Sequence, residues 1–63
     1  MNEKRIRVLG AILAYEDGRR IYDRLGISIK EVEKDALRRK LERTYLCKRA
    51  HLVYLEHNDE DNG

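Results

Sequence analysis

The chain has 63 residues and a single cysteine, Cys47, so it can form no internal disulfide. A domain of about 60 residues buries only roughly 60% of the surface that its unfolded chain exposes, and its own core is therefore marginal. Domains of this size are often stabilised instead by a metal or by oligomerisation. No tight cluster of Cys and His residues offers a structural zinc site. The sequence therefore predicts one small domain that forms a homodimer.

The apolar residues of the chain do not form long uninterrupted runs. No segment has the pattern of a signal peptide, and none approaches the roughly 20 apolar residues of a membrane span. A lone cysteine is typical of a reducing compartment. We therefore expect a cytoplasmic protein.

Charge is distributed unevenly along the chain. Residues 1–49 hold all 14 Lys and Arg residues and eight acids, whereas residues 50–63 hold four acids and no Lys or Arg. A basic body favours a polyanionic partner, because neutralising phosphates releases counterions. A solvated helix surface of mixed charge is the alternative. The run 58–63 is acidic and polar, so we expect a disordered tail after a single domain over residues 1–57.

Residues 4–15 carry apolar side chains at helical spacing. Ile6, Leu9 and Leu13 form one row of a helix surface, and Gly18 follows where such a helix could end. A hairpin is the competing interpretation, because residues 5–8 alternate and residues 16–18 could turn into a second strand at 20–22. We favour the helix.

A second helical signal begins at Ser28. Ser28 and Glu31 have the spacing of a capping box, and Ile27 and Val32 have the positions of a hydrophobic staple. The residues up to about Leu46 include many strong helix formers and no glycine or proline. The sequence predicts a helix over 28–46, with residues 48–55 forming either more helix or a short strand.

The predicted long helix has two apolar sides. Ile29, Val32 and Ala36 lie on one side, which would pack on the rest of the domain. A bend near Arg38 is an alternative reason for the change of side. The second side is our predicted dimer contact, formed by Leu37, Leu41, Tyr45 and Leu52.

Residues 21–32 combine these signals in one segment. Ile21 and Leu25 lie one helical turn apart, Gly26 permits a positive φ at a tight turn, and Ser28 can cap the helix that follows. Over about residues 19–38 the chain resembles helix-turn-helix transcription regulators, and its length is similar to that of small Cro-type phage repressors. The resemblance implies an all-α domain of about three helices over 4–15, 19–25 and 28–46.

In that family the second helix of the motif enters the major groove of DNA. The resemblance therefore implies base contacts from the early residues of the 28–46 helix and phosphate contacts from the start of the helix before it. Two later arginines extend the basic surface of the long helix. The predicted DNA-binding residues are Arg19, Arg20, Ser28, Ile29, Lys30, Glu33, Lys34, Arg38 and Arg39.

The sequence thus predicts a dimeric, sequence-specific DNA-binding protein that acts as a transcriptional repressor. Cys47 and His51 are four residues apart and His57 follows, but a metal site needs three or four ligands, so we expect no metal, cofactor or catalytic activity. Two other functions stay open. The helices could bind a protein such as a polymerase or replication factor, or the arginines and tyrosines could bind structured RNA.

Overall fold

The computed structural model describes residues 4–57, which form mainly antiparallel sheet. The elements are β1 (Arg5–Ala14), β2 (Arg20–Lys30), a 3-10 turn (Glu31–Glu33), α1 (Lys34–Tyr45) and β3 (Arg49–His57). The prediction of an all-α helix-turn-helix domain is therefore wrong. The helices predicted over 4–15 and 19–25 are two strands, and the strand alternative for residues 48–55 is the one that the chain adopts. The predicted tail over 58–63 lies outside the described residues.

The first two strands form the hairpin that the sequence offered as an alternative. Ala14 of β1 lies opposite Arg20 of β2 at the end next to the turn. Gly18 has a φ of +94° in that turn, a conformation that glycine adopts without steric cost. The Tyr15 amide donates to the Arg19 carbonyl oxygen at 2.9 Å, and the Gly18 amide donates to that of Tyr15 at 3.0 Å.

A break in register in β1 gives this strand the apolar spacing of a helix. Val8 and Gly10 lie opposite consecutive residues of β3, so Leu9 is one residue more than β3 has at this point. Residues 6 and 8 are buried before the break and Ala11 and Leu13 after it. An extra residue of this kind is a β-bulge, and it changes a spacing of two into three. Spacings of three and four are also the signature of a helix.

Gly26 lies at the same irregularity in β2. Its φ is +64°, so the positive φ expected at this glycine is confirmed. The conformation serves a distortion within a strand, however, and not a turn between two helices.

The sheet has the order β2-β1-β3, with both neighbours antiparallel to the central β1. α1 connects β2 to β3 and packs on one side of the sheet. Its Leu41, 7% exposed, contacts a cluster with Ala11, Leu13 and Ala50 from the central and third strands. Leu25, Leu37, Cys47 and Leu52 pack around this cluster.

The helix predicted over 28–46 forms only in its second part. Ser28 lies in β2 opposite Arg7, so it does not cap a helix. The glutamate that closes the capping box is Glu33 and not the predicted Glu31. Its carboxylate accepts a hydrogen bond from the Lys30 amide at 2.9 Å. Val32, predicted to pack inside the domain, is 85% exposed in the 3-10 turn.

Two polar contacts fix α1 on the sheet. The Glu42 carboxylate accepts a hydrogen bond from the Ala50 amide at 2.9 Å and another from the Arg38 guanidinium at 2.9 Å. The backbone donor, with help from Arg38, lowers the pKa of Glu42. The Tyr45 hydroxyl donates to the Asp23 carboxylate at 2.9 Å, and this contact raises the pKa of Tyr45. Helix and sheet are therefore joined at both of their long sides, towards β3 and towards β2.

Candidate nucleic-acid interface

The two faces of the sheet differ in composition. Residues that lie directly opposite one another in an antiparallel sheet share a face, and neighbours along a strand alternate. The Tyr45–Asp23 hydrogen bond and the cluster around Leu41 identify the face that α1 covers. The opposite face is built of rows that run across the strands: Arg20, Ala14 and Arg49; Tyr22, Ile12 and His51; Arg24, Gly10 and Val53; Ser28, Arg7 and Leu55.

We call this second surface the basic face, because its charged residues are all cationic. Arg5 and Lys30 form a further row at the end away from the hairpin turn. Together the rows hold six Lys or Arg residues, and no carboxylate of the part described belongs to them: Arg5, Arg7, Arg20, Arg24, Lys30 and Arg49. The acidic residues of β2 and β3 belong to the helix side, where Asp23 contacts Tyr45 and Glu56 forms an ion pair with Lys4 at 3.7 Å.

Several cations of the basic face are available to a partner. Within residues 4–57, Arg7, Arg20 and Arg24 are exposed and form no ion pair or side-chain hydrogen bond. Arg5 is more restrained, since its guanidinium donates to the Ser28 hydroxyl at 3.4 Å and to the Ser28 carbonyl oxygen at 3.3 Å. Like charges gathered on one face raise the free energy of the folded chain, and a bound polyanion would relieve that repulsion.

Tyr22 lies at the centre of the basic face. Its ring passes over Gly10 on the neighbouring strand, where a Cβ would overlap the phenol oxygen. The side chain keeps 52% of its surface exposed, with Arg20 and Arg24 on either side along β2. An exposed ring between two guanidinium groups can contact a base or a sugar without further rearrangement.

The predicted DNA-binding residues do not form one surface. Arg20, Ser28 and Lys30 do lie on the basic face, whereas Ile29 points to the helix side, opposite the buried Ile6. Arg19 lies in the hairpin turn, where its Nε is 2.9 Å from the Asp17 carboxylate.

The remaining predicted residues belong to the 3-10 turn and α1, on the other side of the sheet. Lys34 donates to the Tyr54 hydroxyl at 3.1 Å, which raises the pKa of Lys34. Arg38 and Arg39 both pair with Asp35, at 2.9 and 3.2 Å, and Arg38 foremost lowers the pKa of that carboxyl. With Glu33 engaged at the Lys30 amide, this group stabilises the helix and forms no exposed basic groove. A recognition helix starting at Ser28 is therefore wrong as a structural element.

The row predicted to form the dimer contact lies largely inside the protomer. Leu41 is buried, and Leu37 and Leu52 pack against its cluster. Tyr45, 40% exposed, is the member that remains partly accessible, and its hydroxyl already binds Asp23. These contacts place Leu37, Leu41 and Leu52 in or against the domain's own core.

Sequence reasoning missed most of the basic face. Arg5, Arg7, Arg24 and Arg49 were not among the predicted binding residues, and neither was Tyr22. The available signal was alternation, because residues 5–8 and 20–24 place a charged or aromatic residue at every second position. A strand interpretation of those runs brings the alternating residues to one face.

Cys47 and His51 do not belong to a metal site in the part of the chain that the structure describes. Cys47 is half-buried, with its Sγ 3.5 Å from the Arg49 carbonyl oxygen. Within residues 4–57 no three His, Cys, Asp or Glu side chains come together as metal ligands. Over the same residues, α1 is too short and too polar to cross a bilayer.

Comparison of the chain with protein-family models, with curated proteins and with solved structures gives no match. Among the residues that the structure describes, the basic face is the surface whose charge is of one sign.

Proposed function

We propose that this protein binds nucleic acid, and duplex DNA in particular, through the basic face of its sheet. The observation that carries the proposal is the presence of six cationic side chains and no described carboxylate on one uncovered sheet face. Such a surface attracts phosphates and gains affinity by counterion release. The proposal keeps the DNA partner expected from the sequence but assigns the contact to strands instead of a helix.

The dimensions of the sheet support a duplex partner. Three strands about 4.8 Å apart place the two outer strands roughly 10 Å from each other. The major groove of B-DNA is about 12 Å wide and admits a helix or a two-stranded β-ribbon, which here corresponds to the β1–β2 hairpin with β3 beside it. β2 has 11 residues, which corresponds to about 36 Å of extended chain and thus to about one turn of DNA.

The residue types also favour base edges over stacked single strands. Arginine binds the O6 and N7 acceptors of guanine in a bidentate manner, and Arg7 and Arg24 are exposed in the central rows. Proteins that bind single strands generally offer a succession of aromatic rings. The chain has no Phe or Trp, and within residues 4–57 Tyr22 is the one tyrosine in the rows of the basic face.

A domain that binds DNA without a chemical step can regulate transcription by occupying its site. We therefore retain the proposal of a cytoplasmic homodimeric repressor, in which two basic faces would bind two half-sites. The protomer contact would have to leave Arg7, Arg20 and Arg24 uncovered.

Binding to random duplex DNA across a salt series tests this function. The informative variant is Arg7→Gln/Arg24→Gln, and the matched control is Lys40→Gln/Arg43→Gln, which removes the same charge from exposed positions of α1. On random duplex, which presents no specific site, we expect Arg7 and Arg24 to contact phosphates, and each lost phosphate contact lowers the slope of log affinity against log salt by about 0.9. We expect the first variant to lose about two units of slope and the control to lose little.

Equal losses in both variants would show that binding follows net charge alone and would refute the assignment to the basic face. Tighter binding of structured RNA or single strands than of duplex, in a direct competition, would overturn the choice of DNA. No binding at low salt to any of these would refute nucleic-acid binding and point to the protein-partner alternative.

A further inference from the structure

A shallow depression of about 380 Å³ lies at the hairpin end of the basic face, between the β1–β2 turn and the start of β3. Arg19, Arg20, Lys48 and Arg49 line it, so both loops at this end contribute cations. We propose that this depression, the hairpin pocket, is a binding site for a single phosphate group. The inference rests on the proposed function for the source of that phosphate, which is the backbone or an end of the bound nucleic acid.

A small side chain forms the floor of the hairpin pocket, and long side chains form its walls. Ala14 of the central strand lies opposite Arg20 on one side and opposite Arg49 on the other. Because antiparallel neighbours are about 5 Å apart, the two arginine backbones are separated by roughly 10 Å with only a methyl group between them. Guanidinium groups on both sides can converge on an oxyanion placed above that methyl group.

The two loops that complete the pocket are fixed by backbone hydrogen bonds. The Lys48 amide donates to the Ala14 carbonyl oxygen at 2.8 Å, which holds the segment before β3 against the end of β1. Within the β1–β2 turn, Arg19 is held twice, by Asp17 at 2.9 Å and by its stacking over the Tyr15 ring at 5.0 Å. Cations positioned in advance lose less conformational freedom when an anion binds.

The charge balance at the pocket favours an anion. Asp17 of the β1–β2 turn pairs with Arg19; the Arg19 amide, with its side chain, lowers the pKa of Asp17. Within residues 4–57, Arg20 and Lys48 have no ion-pair partner, whereas the charge of Arg49 also acts on the Glu42 carboxylate and helps to lower its pKa. Arg20 and Lys48 thus remain for a phosphate, and Arg49 adds a cation whose charge is shared with Glu42.

The pocket gives the basic face a defined end. A phosphate fixed between Arg20 and Arg49 would set the register of a bound duplex, while Arg7 and Arg24, farther along the strands, face its interior. Contacts to phosphates position a protein on nucleic acid, and contacts to bases supply the sequence preference.

The first experiment is a titration of the full chain with inorganic phosphate at constant ionic strength, followed by amide NMR. We expect saturable shifts confined to residues near the pocket. Arg20→Gln/Lys48→Gln should abolish them, while the control Lys40→Gln/Arg43→Gln should keep them. Both pairs are exposed, so circular dichroism should confirm that the fold is unchanged. Shifts that stay linear, spread over all basic residues or persist in the pocket variant would refute a phosphate site.

The second experiment uses short duplexes with either a 5′-phosphate or a 5′-hydroxyl. A gain of about tenfold from the terminal phosphate, lost in Arg20→Gln/Lys48→Gln, would assign the pocket to a strand end. Equal affinities, both reduced about tenfold by the variant, would assign it to an internal phosphodiester. Saturable inorganic phosphate binding without any DNA binding would leave the pocket standing and refute the proposed function. DNA binding that both double variants weaken equally would refute the pocket and leave DNA binding intact.

Discussion

The ring of Tyr22 occupies the space that a side chain at Gly10 would need. A Cβ on Gly10 would overlap the phenol oxygen of Tyr22 and would also crowd the carbonyl oxygen of Asp23. The central strand therefore has no side chain at one position, and the aromatic ring from the neighbouring strand occupies that space. This pairing places an exposed ring in the middle of a surface whose other prominent side chains are arginines.

We expect Gly10→Ala to destabilise the fold by about 1–3 kcal/mol, because the added methyl group must displace either a ring or the backbone of β2. Urea denaturation gives the loss, and tyrosine NMR resonances report the movement of the ring. Gly26→Ala is the matched control. It introduces no contact within 4 Å but forces a side chain into a φ of +64°, at a cost of about 1 kcal/mol or more. Tyr22 resonances that are unchanged in Gly10→Ala would contradict the described close approach.

The buried position of Leu41 predicts a large effect of truncation. Leu41→Ala should reduce the free energy of unfolding by about 2–4 kcal/mol, because it opens a cavity between α1 and the sheet. Thermal or urea denaturation at several protein concentrations measures this. A loss that vanishes at low concentration, where a dimer dissociates, would instead indicate that Leu41 is buried in a dimer contact, as the sequence had suggested.

Leu46, at the C-terminal end of α1, is exposed where Leu41 is buried. It has a φ of +54° and is 84% exposed, so its side chain contributes strain and almost no packing. Leu46→Gly should therefore stabilise the protein by about 0.5–1 kcal/mol, the relief of left-handed strain exceeding the added freedom of the unfolded chain. A destabilised variant would mean that the Leu46 side chain has a packing partner.

The lowered pKa of Glu42 predicts how the stability of the fold depends on pH. Its pKa is lowered in the folded protein by the Ala50 amide and by Arg38, so the unfolded chain binds a proton first as the pH falls. The stabilisation is complete above the ordinary carboxyl value of 4.5 and is lost as the pH drops through the lower folded value. We expect Glu42→Gln to be less stable than the parent at pH 7 and to lose less stability between pH 5 and pH 3. Parallel stability profiles of the two proteins would contradict the contact.

The acidic residues that follow β3 should compete for the basic face. β3 ends with His57 opposite Arg5, and Asp59, Glu60 and Asp61 come soon after it in the sequence. Deleting residues 58–63 should tighten duplex binding roughly threefold at low salt and have little effect at 0.5 M salt, where such charges are screened. A full-length variant with Asn or Gln at the three acidic positions should reproduce the gain. Unchanged affinity in both variants would refute the competition.

The sequence predicted the helix better than the strands for identifiable reasons. The run 34–45 has helix formers throughout and a single apolar row, and it forms α1. β1 carries a bulge at Leu9 that converts strand spacing into helical spacing, so periodicity alone favours the wrong element there. Ser28 and Glu31 have the spacing of a capping box in the sequence. Pairing of β2 with β1 nevertheless extends the strand to Lys30, so no helix begins at Ser28.

The candidate site could be predicted only in part. The excess of Lys and Arg in residues 1–49 was visible, and it pointed to a polyanion. The grouping of those residues on one face was not visible in the sequence, because the arginines of β1, β2 and β3 come together only through the order of the strands in the sheet. Arg38 and Arg39, which look equally basic in the sequence, pair with Asp35 once α1 forms.

The central strand of the sheet is the first to be synthesised and its second neighbour is the last. During translation, β1 and β2 can pair as soon as the hairpin leaves the ribosome, but the other edge of β1 has no neighbour until residues 49–57 emerge. A nascent chain that pauses after α1 therefore presents an apolar strand edge, which can template pairing with a second nascent chain. The sheet is therefore complete only when the nine residues of β3 pair with the second edge of β1.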